Sequence, residues 1–343
     1  MRKMLNTLYV TTEDAYAALN GENIEIRLPN DDKRAIPLHL LENIVLFTYR
    51  GASPALMGKC EKDGITITFF SPQGKYLATV GAGTKGNILL RREQYRISES
   101  EDKSLRISQN MIIGKLYNQS EQLLRFRRDH PLQVDCDLLN ESATSIKSLM
   151  HRCKNAKDKE ELRALEGNAA SEYFGVFDEL ILQRKDVFKF QGRNRRPPLD
   201  EVNALLSFAY SLLSVQCTAA LYSVGLDPFA GFFHVDRPGR RSLALDLMEE
   251  FRVPMADRFV LSLINNRVFG SNDFEVEESG AVRLKEDARR EFIAKWQTKK
   301  NDQITHLYLK EKMEWGLVPY IQAQLLARFI REDLDEYPPF FWR

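Results

Sequence analysis

Over the first eighty residues the apolar positions fall in short runs separated by turn-forming clusters. TLYV, NIEIRLP, NIVLFTYR, GITITFFSP and KYLATV each read as a strand, with LNGEN, PNDDK and SPQGK as turns. One helix interrupts the series, in SPALMGKCEKDG. Beyond about residue 88 the apolar spacing becomes helical and stays so, with Gly and Pro confined mainly to breaks such as QGRNRRPP and DRPGRR. The pattern predicts an α+β protein: a small β-rich N-terminal domain over residues 1–88, then a larger all-α C-terminal domain over residues 89–343 that carries the chemistry. No internal repeat at a solenoid period and no low-complexity tract is found.

Two stretches invite readings that their surroundings oppose. Residues 202–226, VNALLSFAYSLLSVQCTAALYSVGL, carry no charge and are long enough to span a bilayer. Asn203, Gln216, Thr218 and four serines are too many polar groups for a lipid-facing helix, so a core helix and no membrane is the expectation. VGAGTKGNILL matches a dinucleotide fingerprint at Gly81, Gly83 and Gly86. The strands before it are expected to be joined by hairpin-like turns, without βαβ crossovers, and the motif follows the β region where a nucleotide fold would open on it. A hinge between domains fits the segment better.

A chain of 343 residues exceeds what one core usually organises. Its net charge of +1, from 49 basic and 48 acidic residues, excludes a uniformly basic coat and confines any nucleic-acid surface to local patches. Cys60, Cys136, Cys153 and Cys217 are far apart and form no CxxC pair, which argues against a zinc site or a disulfide scaffold. The start, MRKMLNTLYV, is a poor signal peptide, and a reducing cytoplasm is the expected location.

Candidate chemistry gathers in GFFHVDRPGRRSLALDLMEEFR, residues 231–252. On a helix over 242–251, Leu243, Ala244, Leu245, Leu247, Met248 and Phe251 fill a broad apolar arc, and Asp246, Glu249 and Glu250 share the remaining face. Such a face is either solvated or able to bring two oxygen ligands to one cation. His234 precedes it in a segment broken by Gly and Pro. Arg240 and Arg241 stand at the helix start, where backbone N–H groups and guanidinium forks together favour phosphate. In LEGNAASEYF, Glu166 is followed by the small residues Gly167, Ala169 and Ala170, which permit close approach of a helix or a substrate backbone. Arg193, Arg195 and Arg196 in QGRNRRPP, and Arg91, Arg92 and Arg96 in RREQYR, are further candidates for phosphate contact.

Taken together, LEGNAASEYF, GRNRRPPLDEVNALLSFAYSLL and VGLDPFAGFFHVDRPGRRSLALDLMEEFR resemble the CRISPR-associated integrase family, the metal-dependent subunit that inserts new spacers, and most of all its subtype I-C branch. The resemblance covers essentially the whole chain. It implies that Glu166, His234 and Glu249 are catalytic ligands of Mn²⁺ or Mg²⁺, that Asp246 supports them, and that Arg240 and Arg241 hold the phosphate under attack. Glu250 matches no ligand position. It also implies double-stranded DNA as substrate, attack by a 3′-hydroxyl on a phosphodiester, endonuclease action when water is the nucleophile, a homodimer, and a larger complex with a small ferredoxin-like partner. A non-catalytic scaffold subunit and a stand-alone nuclease for branched DNA are the competing readings.

Overall fold

The computed structural model describes residues 7–12, 14–41, 43–71, 76–81, 88–194 and 197–343. The N-terminal part contains β1 (Thr7–Val10), β2 (Tyr16–Asn20), β3 (Asn23–Arg27), β4 (Lys33–Pro37), β5 (Asn43–Phe47), α1 (Pro54–Asp63), β6 (Thr66–Phe70) and β7 (Tyr76–Val80). They form a four-stranded sheet in the order β1-β5-β6-β7 and a three-stranded sheet in the order β2-β3-β4. The run NIVLF in β5 is apolar at consecutive positions because both of its faces are covered. Ile44 and Leu46 face a small core shared with Ile24, Leu56 and Ile67, while Val45 and Phe47 join the main core of the helices.

Two expectations for this region need correction. Strands β2 and β4 stand on the far sides of the predicted turns LNGEN and PNDDK. They escape the pattern because β2 is half alanine and polar, and the edge strand β4 exposes Lys33 and Arg34. The connections are also not all hairpins: β1 and β5 are parallel, and so are β5 and β6, with α1 making the crossover between the latter pair. The glycine fingerprint nevertheless follows β7, which pairs antiparallel with β6, and so does not open this βαβ unit. Gly81 has φ of 90°, and a Cβ there would lie 2.5 Å from the Ile65 carbonyl oxygen, which accounts for this glycine by backbone packing. Gly83 and Gly86 lie outside the described residues.

The helical part runs through α2 (Ile88–Glu99), α3 (Glu101–Asp129), α4 (Cys136–Cys153), α5 (Lys159–Gly175), α6 (Glu201–Val224) and α7 (Ser242–Glu249). A π-helical turn (Arg252–Asp257) leads into α8 (Arg258–Asn265), followed by β8 (Phe274–Val276), β9 (Val282–Leu284), α9 (Glu286–Lys300), β10 (Gln303–His306), β11 (Glu311–Glu314) and α10 (Val318–Ile330). The expectation of an all-α region is therefore corrected by two antiparallel hairpins, β8-β9 and β10-β11. Strands of three or four residues are too short for alternation to stand out against helical periodicity. Helix α6 is the apolar stretch long enough to cross a membrane, and 67% of its most apolar window is buried against the rest of the protein.

The four-stranded sheet is fastened to the helices through side chains. Phe47 stacks on Phe70 at 5.1 Å and meets Phe208 of α6 at 6.1 Å, and Phe208 meets Phe292 of α9 at 5.1 Å. Gln297 of α9 donates to the Thr7 carbonyl at 2.8 Å, so the β1 edge is partly covered. Because Phe47 belongs to both layers, Phe47→Ala should lower stability by about 3–5 kcal/mol. Sheet and helix signals should still melt together in chemical denaturation; two separate transitions would show that the layers do not share a core.

Candidate active site

Helix α5 starts where the sequence indicates, at Asp158, whose side chain accepts the Glu161 N–H at 2.8 Å. Two turns on, it presents Glu166 to Lys115 of α3, and the Lys115 ammonium donates to the Glu166 carboxylate. Gly167 has open space where a side chain would project, so the approach to Glu166 from that side is clear. From the same helix, Arg163 donates to the Phe233 carbonyl at 3.0 Å and fastens α5 to the histidine segment.

That segment leaves α6 through Gly225, left-handed with φ of 87°. Gln94 of α2, fully buried, clasps the following loop: it donates to the carbonyls of Asp227 and Ala230 at 2.7 and 2.9 Å and accepts the Asp227 N–H at 2.9 Å. Gly231 then passes so close to α7 that a Cβ would meet Ser242 Cβ at 2.6 Å and Asp246 Oδ2 at 2.9 Å. Only glycine fits there. Asp246, with no exposed side-chain surface, collects the loop: it accepts the N–H groups of Phe232, Phe233 and His234 at 2.6, 3.0 and 2.9 Å, and its Oδ1 lies 2.6 Å from His234 Nδ1. An ionised carboxylate only accepts, so Nδ1 carries the proton. Nε2 is turned the other way, 3.9 Å from Glu249 Oε1.

Glu249 lies at the end of α7, its side chain 5% exposed. Arg252 reaches its Oε1 at 2.9 Å and Lys115 lies 2.8 Å from its Oε2. Burial alone would raise its pKa, but Arg252, Lys115 and His234 hold it down to about 2. Burial likewise opposes the charge on Lys115, and Glu249 and Glu166 more than offset this, keeping its pKa above the usual lysine range. Glu166 and Glu249 thus meet at one ammonium group, and His234 approaches Glu249 at its other oxygen. Among the described residues no three His, Cys, Asp or Glu side chains are gathered as a ready metal cage, and Lys115 bridges Glu166 and Glu249. The donors nonetheless suit a hard cation. His234 Nε2 is unprotonated in the neutral ring, and Glu249 Oε2 is buried without a well-aligned hydrogen bond despite the nearby ammonium.

The three carboxylates of α7 do not form a solvated face; all three are buried. Glu250 turns away from the site, accepting from Tyr337 Oη at 2.6 Å, Gln322 Nε2 at 3.0 Å and the Phe340 N–H at 2.6 Å. The helix start is also not the expected phosphate cradle. The Pro228 carbonyl already takes the N–H groups of Leu243 and Ala244 at 2.9 and 3.3 Å. Arg241 donates to Thr79 of β7 at 3.0 Å, tying the site to the sheet. Arg240 is half-buried, and its guanidinium makes no hydrogen bond or ion pair among the described residues, which leaves it available.

Arg193, expected at phosphate, points inward: it donates to Ser207 at 3.2 Å and lies 5.3 Å from the centroid of Tyr210. Arg252 lies 5.0 Å from the same ring. Arg195 and Arg196 lie outside the described residues. In RREQYR, Arg92 and Arg96 are exposed, and Arg96 pairs with Glu93 at 3.0 Å. Sequence reasoning missed Lys115 and Arg252. A lone lysine inside a helical pattern gives no signal, whereas Arg252, three residues after Glu249, was accessible from helical spacing.

The chain matches the family model described as CRISPR associated protein Cas1 over residues 8–298. It is 46% identical over 343 residues to "CRISPR-associated endonuclease Cas1 1" of Chlorobaculum tepidum, with all of both chains covered. Among solved structures it resembles a casposase bound to integration product, with a TM-score of 0.83, 24% identity, and 96% of this chain and 92% of that one covered. It also resembles a chain of a Cas6-RT-Cas1–Cas2 complex, with a TM-score of 0.82, 22% identity, and 99% of this chain and 36% of that one covered. This relationship fixes the class as a CRISPR-associated endonuclease, the enzyme expected from the motifs. The chain belongs to the Cas1 family.

Since Asp246 accepts three backbone N–H groups, Asp246→Ala should destabilise the protein by several kcal/mol, on the order of 1–3 kcal/mol for each buried N–H left unpaired. Asp246→Asn should lose less stability, yet free the His234 ring. Thermal denaturation and the imidazole NMR signals check this, and an unchanged ring signal in Asp246→Asn would refute the orienting role.

Proposed function

We propose that the protein inserts short DNA duplexes as spacers into a CRISPR array, and cleaves DNA when water replaces the attacking strand end. The observation that carries this reading is the meeting of Glu166 and Glu249 at the buried Lys115 ammonium, with His234 Nε2 3.9 Å from Glu249. We assign these three as the ligands of a divalent cation, Mn²⁺ or Mg²⁺. When bound, such a cation polarises the scissile phosphate and stabilises charge on the leaving oxygen.

The remaining chemistry belongs to the chain. Asp246 holds the His234 proton on Nδ1 and so keeps Nε2 free as a ligand atom. Arg252 neutralises Glu249 and sets its orientation. Lys115 holds the two glutamates together, and its ammonium is then well placed to meet phosphate oxygen once a cation takes over that role. Arg240 grips the phosphate beside the site. A DNA 3′-hydroxyl attacks phosphorus in line, one phosphodiester forming as another breaks, so no nucleoside triphosphate is consumed.

The same reading includes a homodimer through the β-rich N-terminal domain, residues 1–88, a small ferredoxin-like partner subunit, double-stranded DNA as substrate and a place in the subtype I-C branch. The casposase and the Cas1–Cas2 assembly among the structural neighbours support integration and a partner, and the exposed edge strand β4 supports pairing through the β region. The change to helical structure at Ile88 supports the division at residue 88.

The decisive experiment incubates the full chain with supercoiled target, short duplexes and Mn²⁺ or Mg²⁺. Joined products are expected, and Glu166→Ala, His234→Ala and Glu249→Ala or a chelator should abolish them with DNA binding largely kept. Cleavage without joining would make the protein a nuclease, and neither product a scaffold. Lys115→Met is a separate prediction. With the ammonium gone, the facing glutamates should bind Mn²⁺ about tenfold more tightly in calorimetry while joining falls. Unchanged or weaker Mn²⁺ binding would remove Lys115 from the cation site.

A further inference from the structure

A polar cavity of about 420 Å³ lies between the C-terminal half of α3 and α8. Its walls include Gln122, Arg125 and Asp129 of α3, Gln183, and Arg258 and Ser262 of α8. None of these belongs to the active site described above.

Two side chains in it are left incomplete by the protein. Arg258 is half-buried and lies 4.7 Å from the centroid of Trp342, yet it makes no hydrogen bond or ion pair among the described residues. The carboxylates near it are engaged elsewhere: Asp129 with Arg125 and Arg128 at 3.3 and 3.0 Å, and Asp302 with Lys299 at 2.6 Å. Arg125 lies over the same indole at 5.1 Å, so two guanidinium groups crowd one ring. Burial and the neighbouring Arg125 hold the Arg258 pKa below its usual value, the mark of a cation short of counter-charge. The second incomplete group is Gln122, fully buried, whose amide oxygen and nitrogen both lack a partner. A planar guanidinium fork and an amide N–H on the walls of one cavity form a donor array suited to an oxyanion.

We propose that this cavity is a phosphate-binding site that takes the phosphate of a DNA strand end or of a free nucleotide between Arg258 and Gln122. The preference for phosphate over carboxylate rests on the proposed action on DNA. Arg125, already held by Asp129, serves mainly to keep the field positive, and Trp342 fixes both guanidinium groups in place.

The test uses the full chain in chelator, so that its outcome depends neither on a divalent cation nor on strand joining. Calorimetric titration with inorganic phosphate should show saturable binding, weakened about tenfold or more in Arg258→Met and in Gln122→Leu. Arg258→Met keeps an aliphatic stem against Trp342, and Gln122→Leu removes only an unpartnered amide; should the first fail to fold, the second decides. Tighter binding of a 5′-phosphorylated duplex than of its 5′-hydroxyl counterpart, with the difference lost in the variants, identifies DNA as the source. Binding of a deoxynucleoside monophosphate that depends on the same two residues, with no difference between the duplexes, identifies a nucleotide. No phosphate binding, equal binding in wild type and variants, or equal binding of acetate at matched ionic strength overturns the proposal. Glu166→Ala should leave phosphate binding intact, so failure of this site and failure of the integrase reading are separately visible.

Discussion

Burial of three acidic side chains on one short helix is the constraint around which this protein is built. Asp246, Glu249 and Glu250 are each under 5% exposed on or at the end of α7, and a buried carboxylate without partners would cost several kcal/mol. Each is satisfied from a different direction. Asp246 draws in the loop carrying His234, Glu249 draws in Lys115 from α3 and Arg252 from the π-helical turn, and Glu250 draws in Gln322 and the segment around Tyr337 and Phe340. The helix acts as a hub, and its electrostatic needs bring its two flanking segments together with α3 and the segment from Gln322 to Phe340.

The same principle explains why the site is preorganised. Glu249 is held ionised by cations on two sides, and His234 has its tautomer fixed by a carboxylate that also holds three backbone amides. Neither group can change rotamer without leaving a buried charge or N–H unpaired. The geometry of the ligand atoms is therefore maintained by the fold. Glu250, by contrast, serves the fold alone: burial pushes its pKa up to about 8, with Tyr337, Phe340 and Gln322 pulling the other way.

Much of this was legible in the chain. Five strands, helix α1 between its Ser53 cap and Gly64, and the Asp158 start of α5 follow from local propensity and turn chemistry, which neighbouring residues decide. What was not legible depends on tertiary partners. An acidic stripe at helical spacing is the same whether it meets water or Lys115, so periodicity alone left α7 open. The Pro228 carbonyl that occupies the start of α7 has no counterpart in composition. Arg193 shows the converse: a basic loop looks like a phosphate surface until α6 supplies Ser207 and Tyr210 to receive the guanidinium.

The socket around Glu250 also bears on how the molecule comes into being. Its donors at Tyr337 and Phe340 lie 87 and 90 positions further along the chain than the acid they serve. During synthesis α7 emerges long before the segment that completes it, so the helix bearing the candidate ligand Glu249 must wait for contacts of large sequence separation, which close slowly. Until then the nascent enzyme carries its acidic helix unfinished.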